Sequence, residues 1–97
     1  MTPAARRARA AIRRCLAAER FIILPHFTQR MEERGMAWGD VLAVFDDTRD
    51  VCDAGRDRLR RPKWIAAGRT IDGLDIEIVC VLDVDDAGDQ TVFITIY

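Results

Sequence analysis

The spacing of apolar positions changes near residue 49, from every third or fourth residue to every second, and divides the chain into a helical half and a strand half. Ala5, Ala8, Ile12, Cys15 and Leu16 trace a thin, alanine-rich stripe, with Arg6, Arg7, Arg9, Arg13 and Arg14 on the other faces. Thr2 suits a helix N-cap and Pro3 the first helical position, so a helix is predicted to about Arg20, on the domain's surface. The β-branched run "RFIIL", residues 20–24, predicts a short strand or an extended connector. Pro25 then opens and Gly35 closes a second helix, with Phe27 and Met31 on its core side. A third is predicted from Trp38 to Asp47, with Trp38, Val41, Leu42 and Phe45 as its stripe. Asp40 lies in its first turn, where a carboxylate suits the helix dipole.

In the second half, residues 49–54 predict a short strand and "GRDRLRRP", residues 55–62, a charged loop or hairpin arm. Residues 63–70 read as a strand, followed by the turn signal "IDG". In "LDIEIVCVLD", residues 74–83, Ile76, Ile78, Cys80 and Leu82 share one face; Asp75, Glu77 and Asp83 fall on the other, together with Val79 and Val81. Residues 84–89, "VDDAGD", carry loop chemistry. The last strand is residues 91–97, with Val92, Ile94 and Ile96 pointing one way and Thr91, Phe93, Thr95 and Tyr97 the other. Short connections favour an antiparallel meander. Helices first and strands second predict one α+β domain over residues 1–97, its helices on one face of the sheet.

Composition adds exclusions. With 49% hydrophobic residues among 97, a packed core is expected. No apolar run is long enough to cross a bilayer, and the basic N-terminus lacks the apolar region of a secretory signal. Cys15, Cys52 and Cys80 are far apart and form no C-x-x-C pair, which argues against a disulfide framework and a structural zinc site. Each is expected to be a small buried core residue in a cytoplasmic protein. The net charge of −1 conceals bands. Residues 1–34 carry eight Arg against three Glu, and residues 54–70 six bases against one Asp; residues 71–97 carry seven acids and no base. The two basic blocks make a basic face only if the fold brings them together.

His26 is the only histidine. At about 100° per residue, His26, Arg30, Glu33 and Arg34 form a polar stripe beside Phe27 and Met31, at the rim of a helix–sheet contact. Such a set suits RNA cleavage, in which a ribose 2′-OH attacks the adjacent phosphate. The reaction needs a base, an acid for the leaving oxygen and cations for the developing charge. His26 suits the acid or base role and Arg30 and Arg34 the phosphate; Glu33 is either a base or a brace for an arginine. The same spacing describes an ordinary solvated helix, and the helix alone favours that reading. Arg58, Arg60, Arg61 and Lys63 cluster beside Trp64, which packs in the core or stacks on a base. Arg69 is expected to point toward the second helix from its strand. Tyr97 shares the face of Thr95, where its hydroxyl bonds a phosphate or packs at an edge. The chain has no phosphate-binding glycine loop, G-x-S-x-G or H-E-x-x-H, and no metal or cofactor is expected.

The pieces in their order are more specific than any one of them. "HFTQRMEERGM", "WGDVLAVFDD", a strand bearing "GRT", a turn with "DG", a long apolar strand and the ending "VFITIY" resemble the family called domain of unknown function 4258. The resemblance runs from about residue 9 to residue 97. The family's usual Thr before its His and Ala after it are Leu24 and Phe27 here. The resemblance implies a RelE-like fold of the barnase–colicin–RelE group, with helices packed on a curved antiparallel sheet and RNA lying across it. It implies an endoribonuclease toxin of a bacterial toxin–antitoxin pair, held inactive by a cognate antitoxin protein. His26, Arg30 and Arg34 match the motif helix, and Arg69, Thr95 and Tyr97 the strand positions. His26, Arg30, Arg34 and Tyr97 are therefore the expected catalytic set. Arg58, Arg61, Lys63, Arg69 and Thr95 are expected to bind the RNA substrate. A non-catalytic protein- or RNA-binding module on the same scaffold is the alternative. A small-molecule hydrolase ranks last, for want of a nucleophile.

Overall fold

The computed structural model describes residues 1–97. The Thr2 hydroxyl accepts a hydrogen bond from the Ala5 N–H at 3.0 Å, and Pro3 opens α1, Pro3–Ala17. The helix ends before the expected Arg20 because Glu19 takes a left-handed φ of 56° and turns the chain into β1, Phe21–Ile23. Pro25 opens α2, Pro25–Glu33, and Gly35, at φ 63°, follows its end. In α3, Trp38–Asp46, the Asp40 carboxylate accepts from the Ala37 N–H at 3.0 Å and from the Ile71 N–H at 3.1 Å. Four strands follow: β2, Thr48–Arg56; β3, Pro62–Arg69; β4, Asp75–Asp85; and β5, Gly88–Ile96.

The strands make one sheet in the order β1-β5-β4-β3-β2. Strands β2 to β5 form the expected antiparallel meander. Strand β1 departs from it by pairing parallel with β5, Ile22 opposite Val92. The fold is thus α+β, with three helices and a mixed, open five-stranded sheet. No helix is long and apolar enough to cross a membrane.

One face of the sheet carries Trp64 and Ala66 of β3, Ile76, Ile78 and Cys80 of β4, and Phe93 and Ile96 of β5, in a single core with residues of all three helices. The expected surface position of α1 is observed: Ala5, Ala8, Ala11, Ile12 and Cys15 are buried, because small side chains let the helix lie close to the sheet, and Arg6, Arg7, Arg13 and Arg14 are exposed on its other faces. Phe93 is the hub. The rings of Phe21, Phe27, Trp38 and Phe45 lie 5.4–6.1 Å from it, mostly edge-on. Such pairs add about 0.5–1.5 kcal/mol each beyond burial and fasten β1, α2 and α3 to β5.

Phe93 and Ile96 both face the helices, which strict alternation forbids. A bulge resolves this: Phe93 lies opposite Cys80 and Thr95 opposite Val79, so Ile94 is an extra residue and the faces exchange there. The expected loop at 84–89 shrinks to Asp86 and Ala87, since β4 reaches Asp85 and β5 begins at Gly88. The Asp85 carboxylate accepts from the Ala87 N–H at 2.8 Å and closes this hairpin. In α3, Val44 replaces the expected Leu42 in the core, because Val44 rests directly on Gly68 of β3. Cys15 and Cys80 are buried, and burial pushes the Cys80 thiol up to about 12. Cys52 is exposed on edge strand β2, where its thiol donates to Asp50 at 3.2 Å and is pushed up by that bond.

Candidate functional site

The face of the sheet turned away from the helices carries Lys63, Ile65, Ala67 and Arg69 of β3, opposite Val81, Val79, Glu77 and Asp75 of β4. Val79, Val81 and Val92 are buried there, so this face has an apolar floor. The β2–β3 hairpin borders it. The Asp57 carboxylate shapes the hairpin by accepting from the N–H groups of Leu59 and Arg61, at 3.0 and 2.8 Å, and from Arg61 Nε at 2.7 Å. Desolvation pushes the Asp57 carboxyl up, but its bonds to the Arg61 backbone and guanidinium outweigh this and hold it below its ordinary value. Arg61 also reaches Asp83 at 3.2 Å; its bond to Asp57, then that to Asp83, raise its own pKa against desolvation. Arg61 is therefore occupied by two carboxylates, while Arg58 and Lys63 have no acidic partner.

The hairpin and the strands enclose a groove of about 750 Å³. Arg56, Asp57, Arg58, Leu59, Arg61 and Lys63 line its hairpin side; Leu24, Val79, Ile94, Thr95 and Tyr97 line the rest. The fold thus gathers the predicted residues Arg58, Arg61, Lys63, Thr95 and Tyr97. The bulge at Ile94 makes this possible. It turns Thr95 onto the open face opposite Val79, and Tyr97 follows, its backbone paired with Glu77 at 2.8 and 3.1 Å.

The α2 residues divide differently. Arg30 Nε donates to the Ile96 carbonyl at 3.0 Å, and its Nη1 pairs with Glu33 at 3.0 Å. Of the two roles open to Glu33, bracing an arginine is the one its contacts fit. Arg30 itself clamps α2 to the end of β5 and does not line the groove. Arg34 is half-buried with no acidic partner and lines a separate depression of about 290 Å³, together with Tyr97. His26 is exposed, its imidazole makes no hydrogen bond within the chain, and it lines neither opening. Phe27, fully buried, fixes the rotation of α2, and its neighbour His26 must point outward.

One expectation is corrected and one open choice is decided. Arg69 does not point toward α2; it lies on the open face of β3 and pairs with Asp75 at 3.3 Å. Trp64 packs in the core beneath the helices, so it offers no ring for base stacking. Arg49 and Arg56 escaped the sequence reading. Arg56 belongs to the charged hairpin, but nothing local sets it apart from its neighbours. Arg49 is the only base in an acidic stretch. It stands out only in the sheet, as the extra residue of a bulge between the pairs Thr48–Gly68 and Asp50–Ala67.

These features define an α+β domain with a cation-rimmed groove on the open face of its sheet. Residues 23–97 match the family model described as Domain of unknown function (DUF4258), and the chain belongs to that family. The match begins within β1, so α1 lies outside it. No curated protein and no solved structure matches the chain.

Proposed function

We propose that this chain is an endoribonuclease toxin domain on a RelE-like scaffold, binding single-stranded RNA along the open face of its sheet and cleaving it without a metal ion. The observation that carries the proposal is the groove, which joins unpaired cations to an apolar floor. Arg58 and Lys63 are free to meet phosphates, and Tyr97 and Leu59 are 62% and 72% exposed, offering surfaces to bases. With a net charge of −1, affinity rests on this local concentration of bases.

In the proposed reaction a base removes the proton of a ribose 2′-OH, and the oxygen attacks the adjacent phosphorus. An acid returns a proton to the departing 5′ oxygen, leaving a 2′,3′-cyclic phosphate and a 5′-hydroxyl. Tyr97, on the groove wall and more exposed than Thr95 beside it, offers its hydroxyl to the reacting phosphate. Leu24 lines the groove and is the N-cap of α2, so RNA leaving the groove there meets His26 within one helical turn. The apolar lining also suits the acidic, amphipathic segment of an antitoxin, which would compete with RNA for the same surface.

Incubating the purified chain with single-stranded RNA tests this. Fragments ending in cyclic phosphate and 5′-hydroxyl, reduced at least about a hundredfold by His26→Ala, are expected. Intact RNA under all conditions, including with ribosomes present, overturns the nuclease reading. The isolation of His26 and the engagement of Arg30 favour a second reading, an RNA-binding module without catalysis. Saturable RNA binding that is unchanged by His26→Ala, with no cleavage, is its signature.

A further inference from the structure

Tyr97 lines two openings. Beyond the groove it borders the depression that holds Arg34 and Arg49, beside the β3–β4 turn. Arg49 and Gly68 are shared with an adjoining hollow of about 420 Å³ that is also lined by Arg69. Three arginines, from the C-terminal cap of α2, from β2 and from β3, thus converge on one end of the sheet. Arg49 arrives there by construction, since as the extra residue of a bulge its side chain is re-aimed relative to the alternation of β2.

One side chain occupies the centre of this arrangement. An oxygen of the Asp75 carboxylate accepts from Arg49 Nη2 at 2.7 Å and from Arg69 Nε at 3.3 Å. The bonds to Arg49 and then Arg69 hold its carboxyl below its ordinary value, so it is ionised at neutral pH. Arg34 has no carboxylate partner. Asp47 and Glu77 also border the hollows, so the site is close to neutral while Asp75 is charged.

We propose that Arg34, Arg49 and Arg69 form a second phosphate subsite, continuous with the groove through Tyr97, and that Asp75 is a resident anion holding Arg49 and Arg69 until an RNA phosphate replaces it. This subsite rests on the RNA reading for its ligand, but its anion chemistry does not. Asp75 and its two partners are all more than half exposed, so the pairs are readily exchanged. An exposed pair holds its arginine by a factor of about five at most. A phosphate, with several acceptor oxygens, can engage Arg49 and Arg69 together, whereas Asp75 presents both with the same oxygen.

The test is affinity for a short single-stranded RNA as a function of salt, in wild type, Asp75→Asn and Asp86→Asn. Asp86 is exposed at the β4–β5 turn and makes no contact with any of the three arginines, so it controls for the change in net charge. Asp75→Asn is expected to raise affinity about fivefold over Asp86→Asn, and to steepen the logarithmic salt slope by about 0.7 for each phosphate gained. Adding Arg49→Ala to Asp75→Asn removes that gain. Equal affinities for Asp75→Asn and Asp86→Asn overturn the subsite and leave RNA binding in the groove intact. A second readout separates the two readings. Inorganic pyrophosphate is titrated while the side-chain NMR signals of Arg34 and Arg49 are followed. Saturable shifts strengthened by Asp75→Asn, with no RNA binding by any variant, retain the anion subsite and overturn the RNA reading. Absence of both responses overturns both.

Discussion

Gly68 is the point where α3 rests on the sheet, and an added methyl group tests that seating. A Cβ at Gly68 would lie 3.0 Å from Val44 Cγ1, 3.2 Å from the Val44 carbonyl oxygen and 3.3 Å from Val44 Cα. A rotamer change relieves the first contact. The other two are with backbone, so α3 must withdraw from β3 by a few tenths of an ångström, disturbing Val41 and Val44, both fully buried. Overpacking of this kind costs about 1–3 kcal/mol, and the reduced freedom of the unfolded chain returns about 0.4–1 kcal/mol. Gly68→Ala is therefore expected to lose about 1–2 kcal/mol, and each kcal/mol lowers Tm by roughly 4–8 °C in a domain of this size. Gly39→Ala is the matched control. Its Cβ would meet only the Ile71 Cδ1 at 3.4 Å, an ordinary contact with an exposed side chain. That variant is expected to be neutral, or more stable by up to about 1 kcal/mol. Thermal and denaturant unfolding followed by circular dichroism reads both. An unchanged or raised Tm for Gly68→Ala refutes the direct seating of α3 on β3.

Three further outcomes follow from other parts of the molecule. Lys63→Ala should make the salt dependence of RNA binding shallower by about 0.7 in logarithmic slope with Tm unaltered, and an unchanged slope removes Lys63 from the interface. The Asp57 carboxyl is held below its ordinary value, so its contribution to stability is complete above about pH 4 and is lost as pH falls through the depressed folded value. Asp57→Asn should be less stable at neutral pH and should lose part of the acid dependence of Tm; a profile parallel to wild type at low pH contradicts this. Arg30→Ala should destabilise the fold by about 1 kcal/mol and speed amide exchange in α2, since it removes the clamp on the Ile96 carbonyl. Exchange rates in α2 equal to wild type would show that the clamp holds nothing.

The helical half was legible because its signals are local. Thr2, Pro3, Pro25 and Gly35 each act within a turn of their own position, and the alanine stripe of α1 repeats at helical spacing. What local spacing could not show was that the stripe is thin because the helix lies flat against the sheet. In the strand half, alternation held until a bulge interrupted it. Ile94 exchanges the faces of β5, and no residue type marks that exchange, which is set by pairing with β4. The parallel pairing of β1 is likewise non-local, arising from the cluster around Phe93. Of the candidate site, the charged hairpin was visible as composition. The occupation of Arg61 by two carboxylates, the outward turn of His26 and the arrival of Arg49 beside Asp75 were not, because each depends on a partner distant in sequence or on the rotation of a packed helix.

The central claim is that RNA lies in the groove between the β2–β3 hairpin and Tyr97. Titrating the isotope-labelled chain with a short single-stranded RNA tests it most directly. Saturable shifts at Arg58, Lys63, Thr95 and Tyr97, weakened together by added salt, are the expected result. Shifts confined to the helix side of the sheet, or none at concentrations where basic single-strand binders saturate, would contradict it.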